Sequence, residues 1–226
     1  MIWLAVCALG GLVGLDATSF AQTMISRPLI SAILVGVLVG RPVEALFMGT
    51  VLELFAVVIL PVGAARYPES GTAAVAATAA YVAATPVFSP SLALLAVLFA
   101  LLWERVGGMS VILARRFNER HVALTPGAPQ PGTAYDRLLE RRHRLALTVD
   151  FLRAVLVTSV GFLIGGLALR GLAGVWSLSD VIVPAILSIG MACMVGAALP
   201  LFGGLRAQKL AFGIGLTLGL FILLLR

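Results

Sequence analysis

The composition of this 226-residue chain excludes a water-soluble globule, since 61% of its residues are hydrophobic, only 12% are charged and the mean hydropathy is +1.09. We expect an all-α integral membrane protein, a polytopic helical bundle that forms one membrane domain over residues 1–226. The net charge is +6, and half of the 16 Lys and Arg residues lie between residues 104 and 144. The uncharged opening stretch lacks the cationic start of a cleavable signal peptide, which favours a retained membrane segment.

The uncharged runs predict membrane helices of unequal length. In chain order they cover residues 1–15, 28–40, 45–62 (interrupted by Glu53), 70–103, 154–169, 181–205 and 210–225. A spanning helix needs about 20 apolar residues, so the first two runs are short. The run at 70–103 has room for two helices, and Pro86 and Pro90 predict a break between them. Short segments broken by Gly or Pro predict re-entrant half-helices that line a cavity.

The middle of the chain differs from the rest because it is basic and amphipathic. The positive-inside rule places residues 104–147 in the cytoplasm. Within this region MSVILARRFNER and AYDRLLERRHRL each carry apolar residues on one helical face and arginines on the other, and TPGAPQPGT lies between them. We predict two interfacial helices joined by a loop, in contact with anionic lipid and not with nucleic acid. His121 and His143 both lie here, so we expect no metal and no cofactor.

Polar side chains within the apolar runs are the candidate functional residues. They are Asp16, Gln22, Arg27, Glu53 and Glu69. An ionisable group at membrane depth costs several kcal/mol unless it is paired or hydrated, so it marks either a substrate path or a structural ion pair. Glu53 has no basic residue within a helical turn, which makes Arg27 its candidate partner, and Asp16 could join the same cluster.

These residue types favour a ligand that carries many hydroxyl groups. Carboxylates accept hydrogen bonds, and an amide both accepts and donates them. We therefore predict a binding site for a polar solute, with Glu53 and Gln22 as contacts and Arg27 as an anchor. A charge network without a ligand is the alternative. Asp150 and Arg153, which lie three residues apart, fit a local ion pair at the membrane interface.

Two stretches resemble a known family. LDATSFAQTMISRPLISAILVG and GTVLELFAVVILPVGAARYPESG place an Asp before a Gln, then an Arg-Pro-Leu-Ile run, a Gly-x-x-Leu-Glu segment, and Gly-Ala-Ala followed by a proline and an acid. This pattern resembles the IIC membrane subunit of the mannose/fructose/sorbose family of the phosphotransferase system (PTS). The second half agrees more loosely, through the basic region and the FLRAVLV stretch around Arg153.

The resemblance implies a function and a set of partners. A IIC subunit is a multi-pass protein of the bacterial inner membrane that works with a IID membrane subunit in trimeric complexes. It binds and translocates a hexose-type sugar, and a phosphohistidine on the cytoplasmic IIA/IIB phosphocarrier phosphorylates that sugar. The resemblance thus implies a permease subunit without a phosphorylated residue or enzymatic activity of its own, and it makes the basic region a candidate dock for the phosphate donor.

Two departures from the family pattern support an alternative function. Pro61 stands where family members often carry a polar residue, commonly Asn, and the chain is somewhat shorter than the resemblance implies. A reduced, non-transporting homologue that acts as a membrane anchor or signalling subunit is therefore the second hypothesis. An ion-coupled transporter unrelated to phosphotransfer is the third, and it rests only on the buried carboxylates.

Overall fold

The described part of the protein is a bundle of helices, as the composition predicted. The computed structural model describes residues 1–57, 68–121, 132–179 and 182–224. Its helices are α1 (Ile2–Thr18), α2 (Pro28–Val39), α3 (Pro42–Ala56), α4 (Ser70–Ala84), α5 (Pro90–His121), α6 (Thr133–Leu172), α7 (Ile182–Ala198), a 3₁₀ turn (Leu199–Phe202), α8 (Gly204–Ala207) and α9 (Lys209–Leu224).

The helices differ in length as the sequence indicated. Three described stretches are long and apolar enough to cross a membrane, namely α5, α6 and residues Ile182–Phe202. Helices α1, α2, α4 and most of α9 are apolar but shorter. The predicted break in the run at 70–103 is confirmed, because α4 ends at Ala84 and α5 begins at Pro90. Proline is tolerated at the first position of a helix, where its missing N–H costs nothing.

The prediction of separate surface helices needs one correction. Both amphipathic segments are helical, but residues 109–120 form the end of α5 and residues 134–145 form the start of α6. No Gly or Pro separates the amphipathic part of α6 from its apolar part before Gly161, so the helix continues through both. A helix of 40 residues is about 60 Å long, roughly twice the hydrocarbon thickness of a bilayer. The linker at 125–133 falls mostly outside the described residues.

Helix α4 forms the centre of the bundle. Every residue from Gly71 to Tyr81 is buried, and most of them are Ala, Gly or Thr. Small side chains allow helix backbones to approach closely in a membrane, where packing replaces the hydrophobic effect as the driving force. Helices α1, α2, α3, α5 and α6 all pack against α4. By contrast, α7 and α9 expose most of their side chains.

Arg41 fastens the α2–α3 hairpin to the end of α4. Gly40 ends α2 with a φ of 75°, a left-handed conformation that suits glycine. Arg41, which follows it, pairs with Glu44 at 2.7 Å. The same guanidinium donates hydrogen bonds to the carbonyl oxygens of Val82, at 3.2 Å, and Thr85. These bonds satisfy carbonyls that the end of α4 leaves without helical partners.

Candidate functional site

A loop between α1 and α2 carries the first group of predicted residues. Asp16 lies in the last turn of α1 and is only 3% exposed. Its Oδ1 accepts hydrogen bonds from the backbone N–H of Thr23 and from Thr23 Oγ1 at 2.8 Å, and its Oδ2 accepts one from the Ser26 N–H at 3.0 Å. The carboxylate therefore holds the loop at 19–26 against α1.

The backbone of this loop is strained. Ala21, Gln22 and Met24 have φ values of 70°, 52° and 68°, which side-chain-bearing residues rarely adopt. Such conformations cost about 1–3 kcal/mol each and persist where the surroundings enforce them, commonly at binding sites. The side chain of Gln22 is exposed at this point. The structure thus exposes the Gln22 amide on a loop whose backbone is held by hydrogen bonds to the Asp16 carboxylate.

Arg27 and Glu53 form an ion pair next to this loop, which confirms the partner that the sequence suggested. Arg27 Nε donates to Glu53 Oε1 at 2.7 Å, and Arg27 Nη2 donates to the same oxygen. Glu53 Oε2 accepts the backbone N–H of Leu29, at 3.2 Å, in the first turn of α2. The pair is only partly enclosed, with side chains that are 29% and 21% exposed.

Glu69 belongs to a second, closed cluster. Arg153 Nη1 and Nη2 donate to Glu69 Oε2 and Oε1 at 2.7 and 2.9 Å, and the two side chains are 9% and 0% exposed. Arg153 Nε pairs with Asp150 Oδ1 at 3.1 Å, which confirms the predicted local pair. Asp150 Oδ2 accepts hydrogen bonds from Thr18 Oγ1, at 3.0 Å, and from Ser19 Oγ.

Glycines make room for this cluster. A Cβ on Gly14 would lie 3.2 Å from Glu69 Oε1 and would overlap the Ala154 side chain, and one on Gly107 would lie 2.9 Å from Glu69 Cβ. A Cβ on Gly71 would overlap the carbonyl oxygen of Ser26. The start of α4 therefore touches both the loop at 19–26 and the Glu69 cluster.

The predicted residues thus fall into two neighbouring groups. Among the described contacts, the Asp16 carboxylate binds the loop instead of joining Arg27 and Glu53. The Arg153 partner of Glu69 was not predicted, and the sequence did not single it out, because Arg66 lies only three residues before Glu69. Pro61 and the Gly-Ala-Ala run at 63–65 lie outside the described residues. Among the residues that are described, no group of three or more His, Cys, Asp or Glu side chains could hold a metal ion.

Comparison with known proteins gave matches of two kinds. The family described as "PTS system sorbose-specific IIC component" matches residues 1–122, more than half of the chain. A solved structure titled "Structure of membrane protein" aligns with a TM-score of 0.67 and 19% sequence identity, over 100% of this chain and 95% of that one. This second likeness shows the fold alone.

No curated protein gave a significant match. The family match covers α1 to α5 and includes Asp16, Gln22, Arg27, Glu53 and Glu69. Transport across a membrane is the role of this family, and the apolar helices agree with a multi-pass membrane protein. The chain therefore belongs to the PTS sorbose-specific IIC component family and is a membrane transport subunit of that kind.

Proposed function

We propose that this chain binds and translocates a hexose-type sugar across the bacterial inner membrane, and that a partner IIB protein phosphorylates the sugar on the cytoplasmic side. The observation that carries the proposal is the partly exposed Arg27–Glu53 pair beside a strained loop that displays Gln22. Asp16 and Glu69 are closed off, so they support the site and do not contact the sugar.

The hydrogen-bonding capacity of Glu53 favours a hydroxyl-bearing ligand. A carboxylate has about four acceptor positions. Arg27 fills two on Oε1 and the Leu29 N–H fills one on Oε2, which leaves an acceptor position for a sugar hydroxyl. The two hydrogen bonds from Arg27 keep the carboxylate oriented. The exposed Gln22 amide supplies the donor that a carboxylate lacks.

The proposal assigns the phosphate chemistry to other proteins. This chain forms the sugar path as one membrane domain, with a IID-like membrane subunit as partner in a trimeric assembly. The IIA/IIB phosphocarrier brings the phosphate to the cytoplasmic face, where the basic region at 104–147 lies by the positive-inside rule. Purification of the tagged chain from its native membrane tests this part of the proposal. A IID-like and a IIB-like protein should be recovered with it and identified by mass spectrometry, and recovery of the chain alone would contradict it.

A substitution of Glu53 tests the sugar site directly. Glu53→Gln keeps the shape and one acceptor oxygen but removes the charge that orients Arg27. We expect sugar uptake by cells that contain the complete system to be abolished, with normal amounts of inserted protein. Glu44→Gln is the matched control, since Glu44 also pairs with an arginine and is 19% exposed. Normal uptake with Glu53→Gln, or equal loss with both variants, would refute the site.

One observation favours the second hypothesis, a homologue that anchors or signals without transport. Asp16 and Glu69 are buried and receive hydrogen bonds from protein groups, as expected of a structural network. In that case no sugar should protect the purified complex from heat. Protection by any sugar would exclude this function.

A further inference from the structure

We propose that Asp150 and Arg153 of α6 are positioning residues that fix the Gln22 loop relative to the start of α4. The inference rests on the proposed function and extends it, because α6 lies beyond the residues 1–122 that match the family. Neither side chain contacts the sugar in this account. They act through the loop at 19–26 and through Glu69.

Asp150 holds the beginning of the loop. Its Oδ2 accepts hydrogen bonds from Thr18 Oγ1 and Ser19 Oγ, at the point where α1 ends and the loop begins. Gln22 follows Ser19 by only three residues. Asp16 holds the other end of the loop through Thr23 and Ser26. Two carboxylates therefore flank the three left-handed residues, which explains how the loop keeps a strained conformation.

Arg153 connects this anchor to the rest of the site. Its Nε donates a hydrogen bond to Asp150 Oδ1, and its Nη2 donates one to Glu69 Oε1. Its Nη1 donates to both Glu69 Oε2 and Ser110 Oγ. The planar, forked geometry of these donors fixes direction as well as distance. The Glu69 N–H in turn donates to the Glu104 carbonyl at 3.0 Å. Arg153 thus links α6 to α5 and to the start of α4 directly, and to α1 through Asp150.

The contacts predict the effect of Asp150→Asn. Asparagine keeps the shape of the side chain but removes its negative charge, so its hydrogen bonds to the Arg153 guanidinium and to the Thr18 and Ser19 hydroxyls become weaker. The loop is then held less firmly while α6 keeps its packing. Ser19→Ala is a milder variant that removes the hydrogen bonds of one exposed hydroxyl to Asp150 and Thr18.

A double-mutant cycle separates positioning from a general loss of stability. The measurement is equilibrium binding of radiolabelled hexoses to the purified complex of this chain with its membrane partner. We expect Asp150→Asn and Gln22→Ala each to weaken binding about tenfold, Ser19→Ala about threefold, and the double variant Asp150→Asn with Gln22→Ala about as much as one single variant. Glu140→Gln, at the exposed pair with Arg144 on the same helix, is the control and should bind as the wild type does.

Each outcome decides the inference. Non-additive effects support it, because Asp150 then acts through the Gln22 contact. Additive effects of about a hundredfold, or binding by Asp150→Asn and Ser19→Ala equal to that of the wild type, would overturn it while leaving the proposed function intact. A wild-type complex that binds no sugar would overturn the proposed function as well.

Discussion

Substitution of Glu69 by Gln should destabilise the protein strongly, because it leaves the guanidinium of Arg153 short of its main partner. Both side chains are almost fully enclosed, at 0% and 9% exposed, and two hydrogen bonds join them. Removing one member of a buried ion pair costs about 3–5 kcal/mol. A chain of this size loses about 2–4 °C of melting temperature per kcal/mol, so we expect a fall of roughly 6–20 °C.

Thermal unfolding of the detergent-purified protein, followed by intrinsic fluorescence, provides the measurement. Glu140→Gln is the control, since Glu140 and Arg144 are 61% and 68% exposed and such i,i+4 pairs contribute little. We expect it to melt within about 2 °C of the wild type. If Glu69→Gln melted as the control does, the closed cluster would not stabilise the fold and its role in holding the site would be wrong.

Two further substitutions test the packing around the site. Gly14→Val places a side chain where α6 already supplies the methyl group of Ala154, so less protein should survive extraction and size-exclusion chromatography. Gly171→Val is the control, because a side chain there meets nothing within 4 Å, and it should leave the amount of protein unchanged. Arg41→Gln removes the ion pair with Glu44 and the hydrogen bonds that cap α4. We expect a lower melting temperature and faster proteolysis near Thr85. An unaltered cleavage pattern would show that these hydrogen bonds do not fasten the hairpin to α4.

The sequence predicted the local features of this fold better than the contacts between distant segments. Pro86 and Pro90 break a long apolar run because proline removes a donor and blocks the preceding turn, and both effects are local. The continuation of the two amphipathic segments into α5 and α6 was missed, because amphipathic periodicity identifies a helix and a face but does not show where that helix joins its neighbour. Only a breaker would have separated them, and α6 has none between Thr133 and Gly161.

The ion pairs show the same difference between local contacts and contacts of distant segments. Arg27 and Glu53 were expected together because Glu53 has no basic residue within a helical turn. Arg153 was assigned to Asp150, which is three residues away, and this assignment is confirmed. It also concealed the stronger pair with Glu69, which is 84 residues distant. Because a guanidinium has five donors, satisfying one carboxylate did not exclude a second.

The most direct test of the central claim is heat protection of the purified complex by a panel of hexoses and amino sugars. A ligand that binds the folded state raises its stability in proportion to the logarithm of its concentration over Kd. We predict that at least one sugar raises the melting temperature of the wild type and of Glu44→Gln but not of Glu53→Gln. Protection of Glu53→Gln equal to that of the wild type, or no protection by any sugar, would contradict the assignment of a sugar site at Arg27 and Glu53.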